Sequence, residues 1–199
     1  MAAFALTAPR LDAQSPAITS VAGLNPTPQT YTWGWQFTVG PADIVVTHLG
    51  TWDQGGDGLA AQHDVGIWAL GGTLIGFTRI GSGTAHPLES GFRWKALDTP
   101  FILSANTTYR IGDDPVSPDA EEMHSERATL ITMHPHITYG GRVTNASDTF
   151  SYPHGTPNID RVMLGPNSKF QVIPEPSLIQ LPLLLGFGGG ALWWRRRRV

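Results

Sequence analysis

The sequence predicts an all-β protein: an antiparallel β-sandwich or jelly-roll-like domain of about eight strands, followed by a single C-terminal transmembrane helix. Three observations carry this expectation. Apolar and polar residues alternate along several short runs, the period of a half-buried strand. Gly and Pro contribute 23 and 16 of the 199 residues while only 15% are charged, a composition of many turns and few solvated helices. One apolar run, 177–194, is 18 residues long; as a helix it spans about 27 Å, close to the roughly 30 Å hydrocarbon core of a bilayer.

A chain of this length supports one domain with its own core more readily than two. Residues 1–24 read as the remnant of a signal peptide or a flexible N-terminus, because Met1 to Pro9 is apolar and rich in small residues, with no positive charge before Arg10. Residues 25–173 form the sandwich domain and 174–199 the tail. Tyr31, Trp33, Trp35, Phe37 and Val39 alternate with Thr32, Gly34, Gln36 and Thr38, which places every aromatic side chain of this strand on one face. Further strands are expected at 44–52, 63–70, 73–80, 91–103, 107–112, 128–139 and 162–173, punctuated by Gly40-Pro41, Gly71-Gly72 and Gly140-Gly141. Gly71-Gly72 predicts a tight hairpin, since primed turns require positive φ. The acidic stretch 113–127 and the polar stretch 145–158 read as long loops.

Charge excludes one class of partner. Of the 13 basic and 16 acidic residues, the tail takes four and one, so the body carries 9 against 15 and a formal charge of −6. Nucleic acid, held chiefly through phosphate neutralisation, is therefore not an expected partner. The absence of Cys excludes disulfides, thiolate metal sites and thiol nucleophiles. No G-x-S-x-G nucleophile elbow occurs, and no enzymatic activity is expected.

The tail is the most specific feature. Pro174, Glu175 and Pro176 precede the apolar span 177–194, which ends in Trp193 and Trp194 and is followed by Arg195, Arg196, Arg197 and Arg198. Tryptophans suit the membrane interface, and a cluster of arginines stays on the cytoplasmic side, which puts the body across the membrane. Pro182 and the glycines 188–190 weaken the span as an isolated helix. This arrangement resembles the PEP-CTERM sorting signal of Gram-negative bacteria, read by the membrane enzyme exosortase. The resemblance implies an exported protein with an inner-membrane-anchored precursor, cut near Pro-Glu-Pro and passed to the cell envelope or exopolysaccharide matrix. The body, from Tyr31 to Asp113, is similar to a DUF4082-like β-sandwich module of bacterial surface proteins. That likeness rests on Asp53-Gln54-Gly55-Gly56-Asp57-Gly58-Leu59, His63-Asp64-Val65-Gly66-Ile67-Trp68, Gly72-Thr73-Leu74-Ile75, Gly91-Phe92-Arg93-Trp94 and Thr107-Thr108-Tyr109-Arg110-Ile111-Gly112. It implies a structural or interaction role without an attached activity.

Three sets of residues stand out within the body. Asp53, Asp57 and Asp64 flank a glycine-rich turn; closely spaced carboxylates on flexible backbone can ligate Ca²⁺, although turn aspartates more often hydrogen-bond their own backbone. His134 and His136 lie one residue apart in an expected strand, so both imidazoles would share a face, the arrangement of a transition-metal chelate in a metal-dependent enzyme; exposed strand histidines are the plainer reading. Trp33, Trp52, Trp68 and Trp94 form either a face for the sugar rings of an extracellular polysaccharide or part of the core.

Overall fold

The computed structural model describes residues 13–22, 31–114, 124–147 and 149–174. The expected membrane span, the Arg cluster, Glu175, Pro176 and residues 1–12 lie outside them. Among the described residues no helix is long and apolar enough to cross a membrane.

The chain is all-β. Its strands are β1 (Ser15–Pro16), β2 (Ile18–Val21), β3 (Thr32–Val39), β4 (Ile44–Trp52), β5 (His63–Ala69), β6 (Leu74–Ile80), β7 (Leu88–Glu89), β8 (Phe92–Leu103), β9 (Thr108–Asp113), β10 (His124–Arg127), β11 (Ile131–Met133), β12 (Ile137–Asn145), β13 (Arg161–Leu164) and β14 (Pro166–Val172). Two five-stranded sheets, ordered β1-β14-β4-β8-β7 and β12-β3-β9-β5-β6, share one hydrophobic core; β10-β13 and β11-β2 form two-stranded additions. All recorded pairings are antiparallel.

Alternation sets what faces the core. On β3 the inward set is Trp33, Trp35, Phe37 and Val39, and in register with it β9 turns Tyr109, Ile111 and Asp113 inward. From the opposite sheet Ile44, Val46, Leu49 and Phe170 join the same core. Each such side chain, removed from water, contributes about 1.5–3 kcal/mol. A bulge between Val46 and His48 shifts the inward positions of β4 by one, so that Leu49 and Thr51 follow Ile44 and Val46 into the core. The Trp35 indole donates across the core to the Pro166 carbonyl of the facing sheet at 2.9 Å.

The hairpin at Gly71-Gly72 forms as expected between β5 and β6, with φ of 103° and 95°. Other expectations need correction. Gly140-Gly141 is no turn: both residues lie within β12, where a bulge between Tyr139 and Gly141 absorbs them. The stretch expected as one strand over 128–139 breaks at a turn, closed by the Ile137 N–H bonded to the His134 carbonyl at 2.8 Å. Pro135 in that turn has no N–H to give to a ladder. Part of the N-terminal stretch belongs to the domain, since β1 and β2 pair with β14 and β11 and Ala17 and Ile18 are fully buried.

Candidate functional site

Polar residues concentrate at the end of the sandwich where β4 leaves one sheet and β5 and β9 lie side by side in the other. Thr51, Asp53 and Arg93 come from the first sheet; His63, Asp64, Asp113 and Asp114 come from the second, and all seven are buried. Antiparallel pairing explains the meeting: the start of β5 lies against the end of β9, with Val65 opposite Asp113. The dipeptides His63-Asp64 and Asp113-Asp114 thereby become neighbours although 50 residues apart.

Asp113 is the centre. Its Oδ1 lies 2.9 Å from His63 Nδ1, and its Oδ2 accepts a short hydrogen bond from the Thr51 hydroxyl across the core. Asp113 and the His63 side chain are 0% and 1% exposed. Asp114 and Asp64 exchange backbone contacts: the Asp114 N–H donates to the Asp64 carbonyl at 3.1 Å and the Asp64 N–H to Asp114 Oδ1 at 3.0 Å. Desolvation, and next the charge of Asp113, pushes the Asp114 carboxyl up to about 7.

Two arginines neutralise the flanking aspartates. Arg93 Nε donates to Asp53 Oδ2 at 2.6 Å, while its terminal nitrogens reach the His86 and Gly56 carbonyls at 3.0 and 2.8 Å. One guanidinium thus ties both loops to the strands. Arg79 grips Asp64 in a bidentate pair, with both contacts at 2.7 Å. Its own side chain is largely exposed, so this pair contributes less than the enclosed one.

The expected calcium set is not brought together. Asp53 and Asp64 are each engaged by an arginine, and Asp57 is exposed on the glycine turn, where Gly55, Gly56 and Gly58 take positive φ. Nor do His134 and His136 share a strand face. His134 Nδ1 accepts from the His136 N–H at 3.1 Å, and His136 Nε2 lies 2.8 Å from the Ala42 carbonyl. Each thus has a ring nitrogen occupied by backbone. Burial, and next the charge of His136, lowers the pKa of His134.

The four tryptophans do not make one glycan platform. Trp33 points into the core with its neighbours of like parity, Trp68 lies on the opposite face of the same sheet under Phe150, and Trp52 and Trp94 belong to the other sheet. Trp33, Trp68 and Trp94 are 7%, 4% and 3% exposed. The Trp94 ring lies on Gly50 and is capped by the Lys169 ammonium 4.7 Å from its centroid.

Asp113 and Asp114 were not expected to matter, because six acidic residues around Pro115 and Pro118 read as solvated loop. The signal available was positional: one acidic dipeptide opens a strand and the other closes one. Among the described residues His63, Asp113 and Asp114 are the group able to hold a metal ion, with one ligand atom from each lying within 4.8 Å of the others. No protein-family model, curated protein or solved structure matches the chain.

Proposed function

We propose that this is an exported bacterial envelope or exopolysaccharide-matrix protein, sorted by exosortase through its C-terminal signal, whose β-sandwich plays a structural or interaction role without catalysis. The observation that supports the reading is where the last described strand ends. The last described strand ends at Val172, and the Ile173 N–H is bonded to the Asp43 carbonyl at 2.8 Å, directly before Pro174. A cut near Pro174, Glu175 and Pro176 removes no described strand, which is what a detachable tail requires.

The membrane span over 177–194 and the arginines at 195–198 hold the precursor with its body outside the cytoplasm. Two ion pairs support the structural role, since Arg93 with Asp53 and Arg79 with Asp64 are spent on one another. Protease added to spheroplasts tests the orientation. The domain is expected to be digested from outside while a cytoplasmic marker survives; a domain protected until the membrane is dissolved overturns the reading.

A further inference from the structure

We infer that His63, Asp113 and Asp114 bind one divalent transition-metal cation, of the Zn²⁺ or Mn²⁺ class, where the start of β5 meets the end of β9. The inference stands apart from the delivery route and holds whether or not the tail is processed.

Two independent observations carry it. One is the donor set: an imidazole and two carboxylates, each nine-tenths or more buried, present ligand atoms within 4.8 Å of one another. Bonds of about 2.0–2.2 Å to a shared ion need only small side-chain adjustments from that spacing. The other is a lightly bonded acceptor. Asp114 is 5% exposed, yet among the described residues its carboxylate takes a single hydrogen bond, from the Asp64 N–H. A carboxylate can accept about four.

Charge points the same way. Asp53 is paired with Arg93 and Asp64 takes both contacts of Arg79, whose charge also reaches Asp114, whereas the ion-pair partner of Asp113 is the titratable imidazole of His63. With a neutral imidazole and both carboxylates ionised, the trio carries two negative charges in a site withdrawn from water, and a divalent cation cancels both. An imidazole nitrogen favours a first-row transition ion over Ca²⁺, which takes an all-oxygen shell. The oxygen atoms of Asp113 divide the work: one faces the ion, and the other takes the Thr51 hydroxyl from the facing sheet, so the metal would brace both sheets.

The test uses the full chain in detergent, purified without a polyhistidine tag, dialysed against chelator and titrated calorimetrically with Zn²⁺, Mn²⁺ and Ca²⁺. One equivalent of Zn²⁺ or Mn²⁺ per chain is expected, with a rise in Tm, and equimolar Ca²⁺ should not displace it. His63→Gln and Asp114→Asn are expected to weaken uptake on the order of 100-fold or more, the upper end of what losing a mere supporting contact costs. His134→Gln should bind as the parent does. Asp114→Asn keeps the side-chain shape, so it decides the matter if His63→Gln fails to give the parent circular dichroism spectrum. Absence of uptake by the parent, uptake untouched by Asp114→Asn, loss in His134→Gln, or displacement by Ca²⁺ would each overturn the assignment.

Discussion

Arg93 Nε lies 2.6 Å from Asp53 Oδ2 inside the sandwich, with the two side chains 6% and 1% exposed. Removing one partner strands the other charge away from water, which typically costs about 3–5 kcal/mol, whereas replacing both by apolar groups costs far less. Arg93→Met and Asp53→Leu are therefore each expected to lower stability by that amount. The double variant should recover a large part of it in a urea-unfolding cycle. Additive losses would mean that the loop carbonyls, not Asp53, are the important partners of Arg93.

Thr51 makes the direct side-chain link between the sheets at Asp113. Thr51→Val keeps the volume and removes the donor, leaving a buried carboxylate oxygen unpaired at a cost of about 1.5–3 kcal/mol. Thr19→Val, which removes an exposed hydroxyl bonded to the Thr132 carbonyl, is expected to be near neutral in the same urea titration. Equal effects at the two sites would deny the buried link its weight.

Gly50 is needed for the seat of Trp94. A Cβ added there would stand 2.6 Å from the Trp94 ring, which is held by a hydrogen bond to the Glu89 carbonyl and by the Lys169 ammonium. Gly50→Ala should lower stability by about 1–3 kcal/mol, the usual cost of overpacking. The penalty should shrink when Trp94→Leu is already present, as thermal melts of the four species would show.

His134 titrates below the ordinary 6.5, because burial, and next the charge of His136, disfavours its imidazolium. Its Nδ1 also accepts from the His136 N–H, a bond that protonation of that nitrogen breaks. As pH falls the unfolded chain binds this proton first. The stabilisation is therefore complete above about 6.5 and is lost as pH drops through the lower folded value. NMR titration of the ring should give a midpoint under 6.5 that rises in His136→Gln; an unmoved midpoint would leave burial as the whole cause.

Much of the sheet structure was legible from residue order alone. The alternation from Tyr31 to Val39 announced β3 and its buried aromatic face, and 44–52 was read with the bounds β4 takes. Local chemistry misled where a long-range partner decides the outcome. Gly140-Gly141 has the composition of a turn, but β3 supplies a strand against which the pair bulges. Asp53 and Asp64 look like cation ligands until Arg93 and Arg79 arrive from 40 and 15 residues away. Asp113 and Asp114 look solvated until the start of β5 closes over them. Burial of a polar residue is a property of its contacts, which no period or dipeptide encodes.

The claim that this domain is delivered by a removable tail is tested most directly by mass spectrometry of its C-terminus, recovered from envelope and medium. The account predicts that the delivered protein ends close to Pro174, Glu175 and Pro176 and lacks residues 177–199, with the full tail confined to the inner-membrane precursor. Protein carrying Arg195 to Arg198 in every fraction would contradict it and make the tail a permanent anchor.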